Sequence, residues 1–212
     1  MNLICIVLPS SNNGSPIKGA AALANELVKK TKLVIVSLKD SKDFNNLFHY
    51  KCEHLDLSKL SWIQKYLFLK KYLFNKKKIY NIKILSYCFS GDVFTSFFKN
   101  KYQISSYIRG DLYKVYRLDY GLVGILYAWI QYEALKRFDF LLGLSKVMVD
   151  KTEKLTNKKC FLIPNFINEN QISKYRNSFA INSKDINLIY LGRLTKLKSV
   201  SSLIKALHNL QE

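Results

Sequence analysis

The feature that most constrains the fold stands at the amino end: Leu3 to Leu8, LICIVL, six apolar residues in a row. A strand with no polar alternation has both faces covered, as in a parallel sheet flanked by helices. The loop SSNNGSPIKG follows, and then Ala20, Leu23, Ala24, Leu27 and Val28 recur at helical spacing, with alanines small enough to let the helix lie close on a sheet. Leu33 to Leu38 is a second apolar run. Strand, glycine-bearing loop, helix, strand is the opening of a Rossmann-like, doubly wound parallel α/β fold, whose ligands bind outside the carboxyl ends of the strands. Gly14 and Gly19 therefore lie at the functional edge. The loop lacks G-x-G-x-x-G and no acidic residue ends the second strand, which disfavours a nicotinamide cofactor.

Further strands are expected at Ile82–Tyr87, Gln103–Ile108, Phe140–Leu144 and Cys160–Ile163, with helical patterns at Gly91–Phe98, Arg117–Phe138 and Lys146–Leu155, the last capped by Ser145. Arg109-Gly110-Asp111 then falls at a strand's carboxyl end, where an α/β fold keeps its working residues. The tripeptide has no adhesive meaning here, because Leu3–Leu8 is too short for a secretory signal and is closed by Pro9. Pro164 and Asn165 break the pattern. The expected division is residues 1–165 as a Rossmann-like domain, 166–185 as a linker and 186–212 as a single βα unit. In that unit a strand ending at Leu191, a turn carrying Gly192 and Arg193, Lys198 and an amphipathic helix follow one another. A guanidinium and an ammonium placed there suit a diphosphate at a helix N-terminus.

Composition narrows the partners. The net charge of +19 attracts anions without choosing among lipid, nucleotide phosphate and nucleic acid, and a codon bias towards Lys, Asn, Ile, Phe and Tyr would also produce it. Nucleic acid is disfavoured because no recognition motif accompanies the charge. Cys5, Cys52, Cys88 and Cys160 are far apart, and no histidine stands at ligand spacing, so buried thiols in a reducing compartment are expected and no metal. The longest largely apolar stretch, Gly121–Ile130, is about half of the roughly 20 residues that span a bilayer. Leu57–Lys78 mixes aromatic and aliphatic bulk with six lysines after Trp62. It reads either as an interfacial membrane helix, with Trp62, Lys65, Lys70 and Lys71 in contact with anionic lipid, or as a core helix with a solvated lysine end.

Four segments together resemble the family 4 glycosyltransferases of the GT-B fold: LANEL at Leu23–Leu27, FDFLLGLSKVMVDKTEK from Phe138, FLIPNFIN from Phe161 and LIYLGRLTKLKS from Leu188. The resemblance implies two Rossmann-like domains, the first on the acceptor side. It also implies transfer of a sugar, with retention and without a metal or other cofactor, from a nucleotide diphosphate sugar to a lipid-linked or surface polysaccharide acceptor. By resemblance, Arg193, Lys198, Gly192 and Gly14 hold the donor diphosphate, and Asn165 marks the interdomain crossover. The histidine usual at the first domain's site is replaced by Arg109, whose guanidinium stays charged and cannot relay protons. Arg109 and Asp111 are then the candidate catalytic or acceptor-binding pair.

The family's donor-gripping glutamate pair lies in a part of the second domain that has no counterpart within these 212 residues. The chain is accordingly expected to be truncated and inactive as a transferase alone, with a separate chain as one source of the missing half. The competing expectation is a non-enzymatic module, derived from such a domain, that docks on a membrane or a protein partner. The expected location is the cytoplasm, with peripheral contact at the inner face of the cytoplasmic membrane in the first reading as in the second.

Overall fold

The computed structural model describes residues 1–12, 14–49, 51–165, 188–192, 194 and 198–209. Seven strands, β1 (Asn2–Leu8), β2 (Lys32–Ser37), β3 (Glu53–Asp56), β4 (Asn81–Tyr87), β5 (Gln103–Ile108), β6 (Phe140–Gly143) and β7 (Cys160–Leu162), form one parallel sheet in the order β3-β2-β1-β4-β5-β6-β7. The chain winds outward from β1 to β3 and resumes with β4 on the other side of β1. The reversal makes β1/β4 the topological switch point, where the loops leaving neighbouring strands part and open a crevice.

The described helices are α1 (Ser15–Leu27), α2 (Phe44–Leu47), α3 (Trp62–Lys76), α4 (Cys88–Ser96), α5 (Leu112–Tyr120), α6 (Leu122–Leu135), α7 (Lys146–Thr156) and α8 (Val200–His208). Strand alternation sends β1's Leu3, Cys5 and Val7 to one face and Ile6 and Leu8 to the other. The first face packs on α3, α4, α5 and α6 through Leu69, Phe94, Leu112 and Leu135; the second packs on α1 and α2 through Ala20, Ala24 and Phe44. Both faces are thus covered, as the unbroken apolar runs require. Burial of a leucine such as Leu69 or Leu73, each fully enclosed, stabilises by roughly 1.5–3 kcal/mol.

Several elements differ from the sequence expectation. The helix expected over Arg117–Phe138 is two helices, because Gly121 takes φ 63° and turns the chain sharply between α5 and α6. Gly124 then lies so close to the backbone of Tyr116 that a Cβ would overlap its carbonyl, and this contact closes the hairpin. β3 was hidden by its polar content, EHLD; as an edge strand it pairs only with β2 among the described residues, and Lys76 of α3 bonds Glu53 at 3.4 Å. Leu188–Leu191 are not a strand: Leu188, Ile189 and Leu191 are exposed and pair with no neighbour among the described residues. The linker 166–185 and the start of the expected strand, residues 186 and 187, lie outside the described residues. No described helix is long and apolar enough to cross a membrane.

Candidate functional site

The carboxyl edge at the switch point is built from four pieces: the loop after β1, the first turn of α1, the ends of β4 and β5, and the segment leaving β7. Gly14 occupies the N-cap of α1 with ordinary extended torsion, and a Cβ on it would meet nothing closer than 3.9 Å. Neither backbone strain nor packing among the described residues explains its missing side chain, and those residues leave the space above the helix N-terminus open. No side chain caps that end, and Ser15 and Pro16 lead straight into the helix. Pro16 has no N–H, and those of Gly14 and Ile17 donate to the carbonyls of Asn12 and Gly14, so it is the helix dipole that makes the opening electropositive.

Arg109, one residue beyond β5, reaches across to this turn. Its guanidinium donates to the carbonyls of Ser15 at 3.2 Å and Pro16 at 3.1 Å, and through its other amino group to Asn165 Oδ1 at 2.7 Å. It also lies over the ring of Tyr107 at 5.9 Å. Gly19 makes room for it: a Cβ there would come within 2.5 Å of Arg109 Nη1. Tyr107 donates to the carbonyl of Ile163 at 2.8 Å and so ties down the chain on its way to Asn165. Three positions far apart in sequence, the Gly14 loop, Arg109 and Asn165, are thereby one constellation. A fixed cation beside an uncapped helix N-terminus can hold a phosphate or carboxylate, and it cannot move protons.

At the crevice itself, two buried polar atoms have no hydrogen-bond partner among the described residues: Asn12 Oδ1, in the loop after β1, and Tyr87 Oη, at the end of β4. Such orphans are uncommon and mark a place for water or a polar ligand. Cys88 opens α4 there with φ 61°, a left-handed torsion that costs a side-chain-bearing residue. Burial, reinforced by Asp92 and opposed by Arg109, pushes its thiol up to about 12, so it is not a ready nucleophile.

Asp111 does not join Arg109. It caps α5, accepting from the backbone N–H of Lys114 at 3.3 Å, and Lys151 of α7 bonds its other oxygen at 2.5 Å. Partial burial raises its carboxyl, but these bonds, that of Lys151 foremost, outweigh it and hold the group below the ordinary aspartate value. A carboxylate so stabilised is a poor proton acceptor near neutrality. Gly192 and Lys198 are described but lie on the separate C-terminal segment, where Gly192 is packed beside Tyr190 and Lys198 is exposed; Arg193 lies outside the described residues. On α3, Trp62, Lys70 and Lys71 are exposed, whereas Lys65 is buried on the inner side with its ammonium 5.8 Å from the Trp62 ring centre. Direct lipid contact by Lys65 is therefore corrected: the helix turns it away from the outer surface. Ser145 stands at the N-cap of α7 but makes no capping bond there.

One cluster escaped the sequence reading. On the opposite face of the sheet from Arg109, Asp92 of α4 is completely buried and accepts from Ser86 of β4 at 2.5 Å, Ser106 of β5 at 2.6 Å and the Gln131 amide of α6 at 2.5 Å. Tyr116 of α5 donates to Gln131 Oε1 at 2.6 Å. Burial pushes the Asp92 carboxyl up to about 6 against the pull of these three donors. Its only sequence signal is a carboxylate amid FSGDVFTSFF. A smaller chain joins Ser11, Ser37 and His54, with Ser37 Oγ and His54 Nε2 3.0 Å apart. No group of three metal-binding side chains exists among the described residues.

The fold matches a class: the Rossmann-like domain of the GT-B architecture. Comparison with solved structures agrees. The chain is similar to apo UGT2 of Phytolacca americana, at 9% identity and TM-score 0.52 over 84% of this chain and 55% of that one. It is similar to a UDP-glucosyltransferase from Polygonum tinctorium capable of glucosylating indoxyl, at 7% identity and TM-score 0.53 over 87% and 56%. It is also similar to a UDP-N-acetylglucosamine 2-epimerase, at 14% identity and TM-score 0.50 over 85% and 53%. The chain thus spans about half the length of the structures it matches. No protein-family profile and no curated protein sequence matches it. What is shared is architecture, and architecture serves both transfer and epimerisation in these proteins.

Proposed function

We propose that this chain is the acceptor-side domain of a glycosyltransferase of family 4 type that moves a sugar, with retention, from a nucleotide diphosphate sugar to a lipid-linked or polysaccharide acceptor. The observation that carries the reading is the Arg109 guanidinium bonded to both the first turn of α1 and Asn165. It sets a permanent positive charge beside an open helix N-terminus, at the switch point where this architecture takes its ligands. Donor phosphate charge would be neutralised by such fixed groups, with no metal required. In this reading Gly14 leaves space for the ligand, Arg109 supplies charge, Asn165 orients Arg109, and Asp111 organises the start of α5. Lys198 and Arg193 belong to the donor side.

Two measurements test it. Titration calorimetry with nucleotide diphosphates and their sugars should give binding that Arg109→Ala weakens about tenfold, the worth of a charge-assisted hydrogen bond. Transfer of labelled sugar from the nucleotide into a lipid fraction should then be seen with the full-length protein that contains this domain, and should fall in its Arg109→Ala variant. Indifference to every nucleotide diphosphate would reject the transferase reading and favour a docking module derived from this domain.

A further inference from the structure

Two helical surfaces among the described residues, α3 and the α5–α6 hairpin, each expose several large apolar side chains, and the hairpin's are gathered at its tip. Leu122 is 79% exposed, Val123 56% and Leu126 52%, with Ile125 beside them. They occupy the first half of α6, directly after the tight turn at Gly121, while the second half, from Ala128 to Leu135, is anchored in the core. Tyr127 packs on Phe89, at the start of α4 and therefore at the carboxyl edge of the sheet. Through that contact the hairpin reaches the carboxyl edge of the sheet.

We infer that this hairpin tip seats the protein on an anionic bilayer surface, with Leu122, Val123 and Leu126 entering the interface. Three observations choose this occupant over a protein surface. Aromatic side chains flank the aliphatic tip: Tyr120, Tyr127 and Trp129 are all exposed, the arrangement suited to headgroup depth. Cations lie on the same face of the sheet and outnumber the exposed Asp119 of α5. Lys114 and Arg117 lie exposed on α5, and α3, on the same face of the sheet, presents Lys70 and Lys71 among exposed Ile63, Leu67 and Phe74. Exposed lysines of this density are depleted in protein–protein interface cores but are drawn to anionic headgroups, and the chain's +19 charge acts in the same direction. The tip also forms a narrow wedge, because Gly124 lets α6 close on α5. The sequence pattern pointed to α3; in this inference α3 adds positive charge on the same face of the sheet and the hairpin inserts. The inference is independent of sugar transfer.

The chain has two tryptophans, so Trp62→Phe leaves Trp129 as its sole indole reporter. With vesicles of phosphatidylcholine and phosphatidylglycerol, Trp129 emission should move to the blue and be quenched by shallowly brominated lipid; with phosphatidylcholine alone it should change little. The double variant L122D/L126D, at exposed positions and checked for folding by circular dichroism and urea midpoint, should lose about tenfold or more in vesicle partitioning. K70Q/K71Q should weaken binding at low salt and leave the Trp129 shift on bound protein intact. Unmoved Trp129 emission, or L122D/L126D binding like the parent, would overturn the inference. So would sedimentation showing that L122D/L126D acts by dissociating a dimer, since the tip would then face a second copy.

Discussion

Two charged groups sit near the carboxyl ends of β4 and β5 on opposite faces of the sheet, and their surroundings could hardly differ more. Asp92 is sealed in the helical face, with both carboxyl oxygens bonded by Ser86, Ser106 and Gln131. Arg109 is half-buried on the α1 face, bonded to carbonyls and to Asn165 beside an uncapped helix end. A polar group with both oxygens bonded inside the core is architecture; one held at an open edge is available to a ligand. The comparison separates a conspicuous buried carboxylate from the place where chemistry can reach solvent.

The sharpest way to break this contrast is to truncate Asp92. Asp92→Ala leaves two hydroxyls and an amide without acceptors in the core and should cost about 3 kcal/mol or more in urea unfolding. Asp92→Asn should cost far less, because Gln131 can turn its amide to accept from the new N–H. Equal losses in the two variants would show that the network is not saturated as described.

A second test uses pH. The Asp92 carboxyl lies near 6 in the folded chain and near its ordinary value of 3.8 when unfolded. Protonation therefore favours the fold: the contribution is complete below pH 3.8 and is lost as pH rises through about 6. Relative to Asp92→Asn, the natural chain should be more stable at pH 4.5 than at pH 7.5 by on the order of 2 kcal/mol. Asp111, held low, works in the opposite sense: its contribution is present above 3.8 and fades only as pH falls below that value. A flat difference between the parent and Asp92→Asn would remove Asp92 as the titrating group.

On the other face the effects should be smaller in stability and larger in binding. Gly19→Ala places a methyl 2.5 Å from Arg109 Nη1 and should displace the guanidinium. The gain in helix propensity, about 1 kcal/mol, offsets much of the strain, so the urea midpoint should move little while nucleotide affinity falls several-fold. If affinity were unchanged, Arg109 in its observed position would be structural only. Smallest of all, Asp111→Asn keeps the cap of α5 and loses a half-exposed ion pair with Lys151. It should cost less than about 1 kcal/mol and leave nucleotide binding unaffected, as calorimetry would show.

How much of this was legible in the sequence depends on how far each signal travels along the chain. The apolar runs Leu3–Leu8 and Leu33–Leu38 announced buried parallel strands, and both are there. Gly14 and Arg109 were marked by their place after a strand and Asn165 by resemblance, but their junction was not, because Arg109 meets Ser15 and Pro16 across more than ninety residues. Asp111 was placed with Arg109 as a chemical pair; Lys151, forty residues later, draws it away as a cap. The resemblance located Lys198 and Gly192 on a βα unit, of which α8 is present and the strand is absent over Leu188–Leu191.

By itself, then, the sequence determined the class of fold, since hydrophobic period and run length are local properties and decide which faces must be buried. Tertiary structure alone decided three things. It folded an apparent single helix into a wedge at Gly121, a torsion that any glycine permits and only packing against Tyr116 selects. It turned Lys65 inward and left the hairpin's leucines in water. And it gathered Ser86, Ser106 and Gln131 around Asp92, whose partners stand 6, 14 and 39 residues away. A buried charge is tolerable only when its partners arrive together, and no local pattern records that they will.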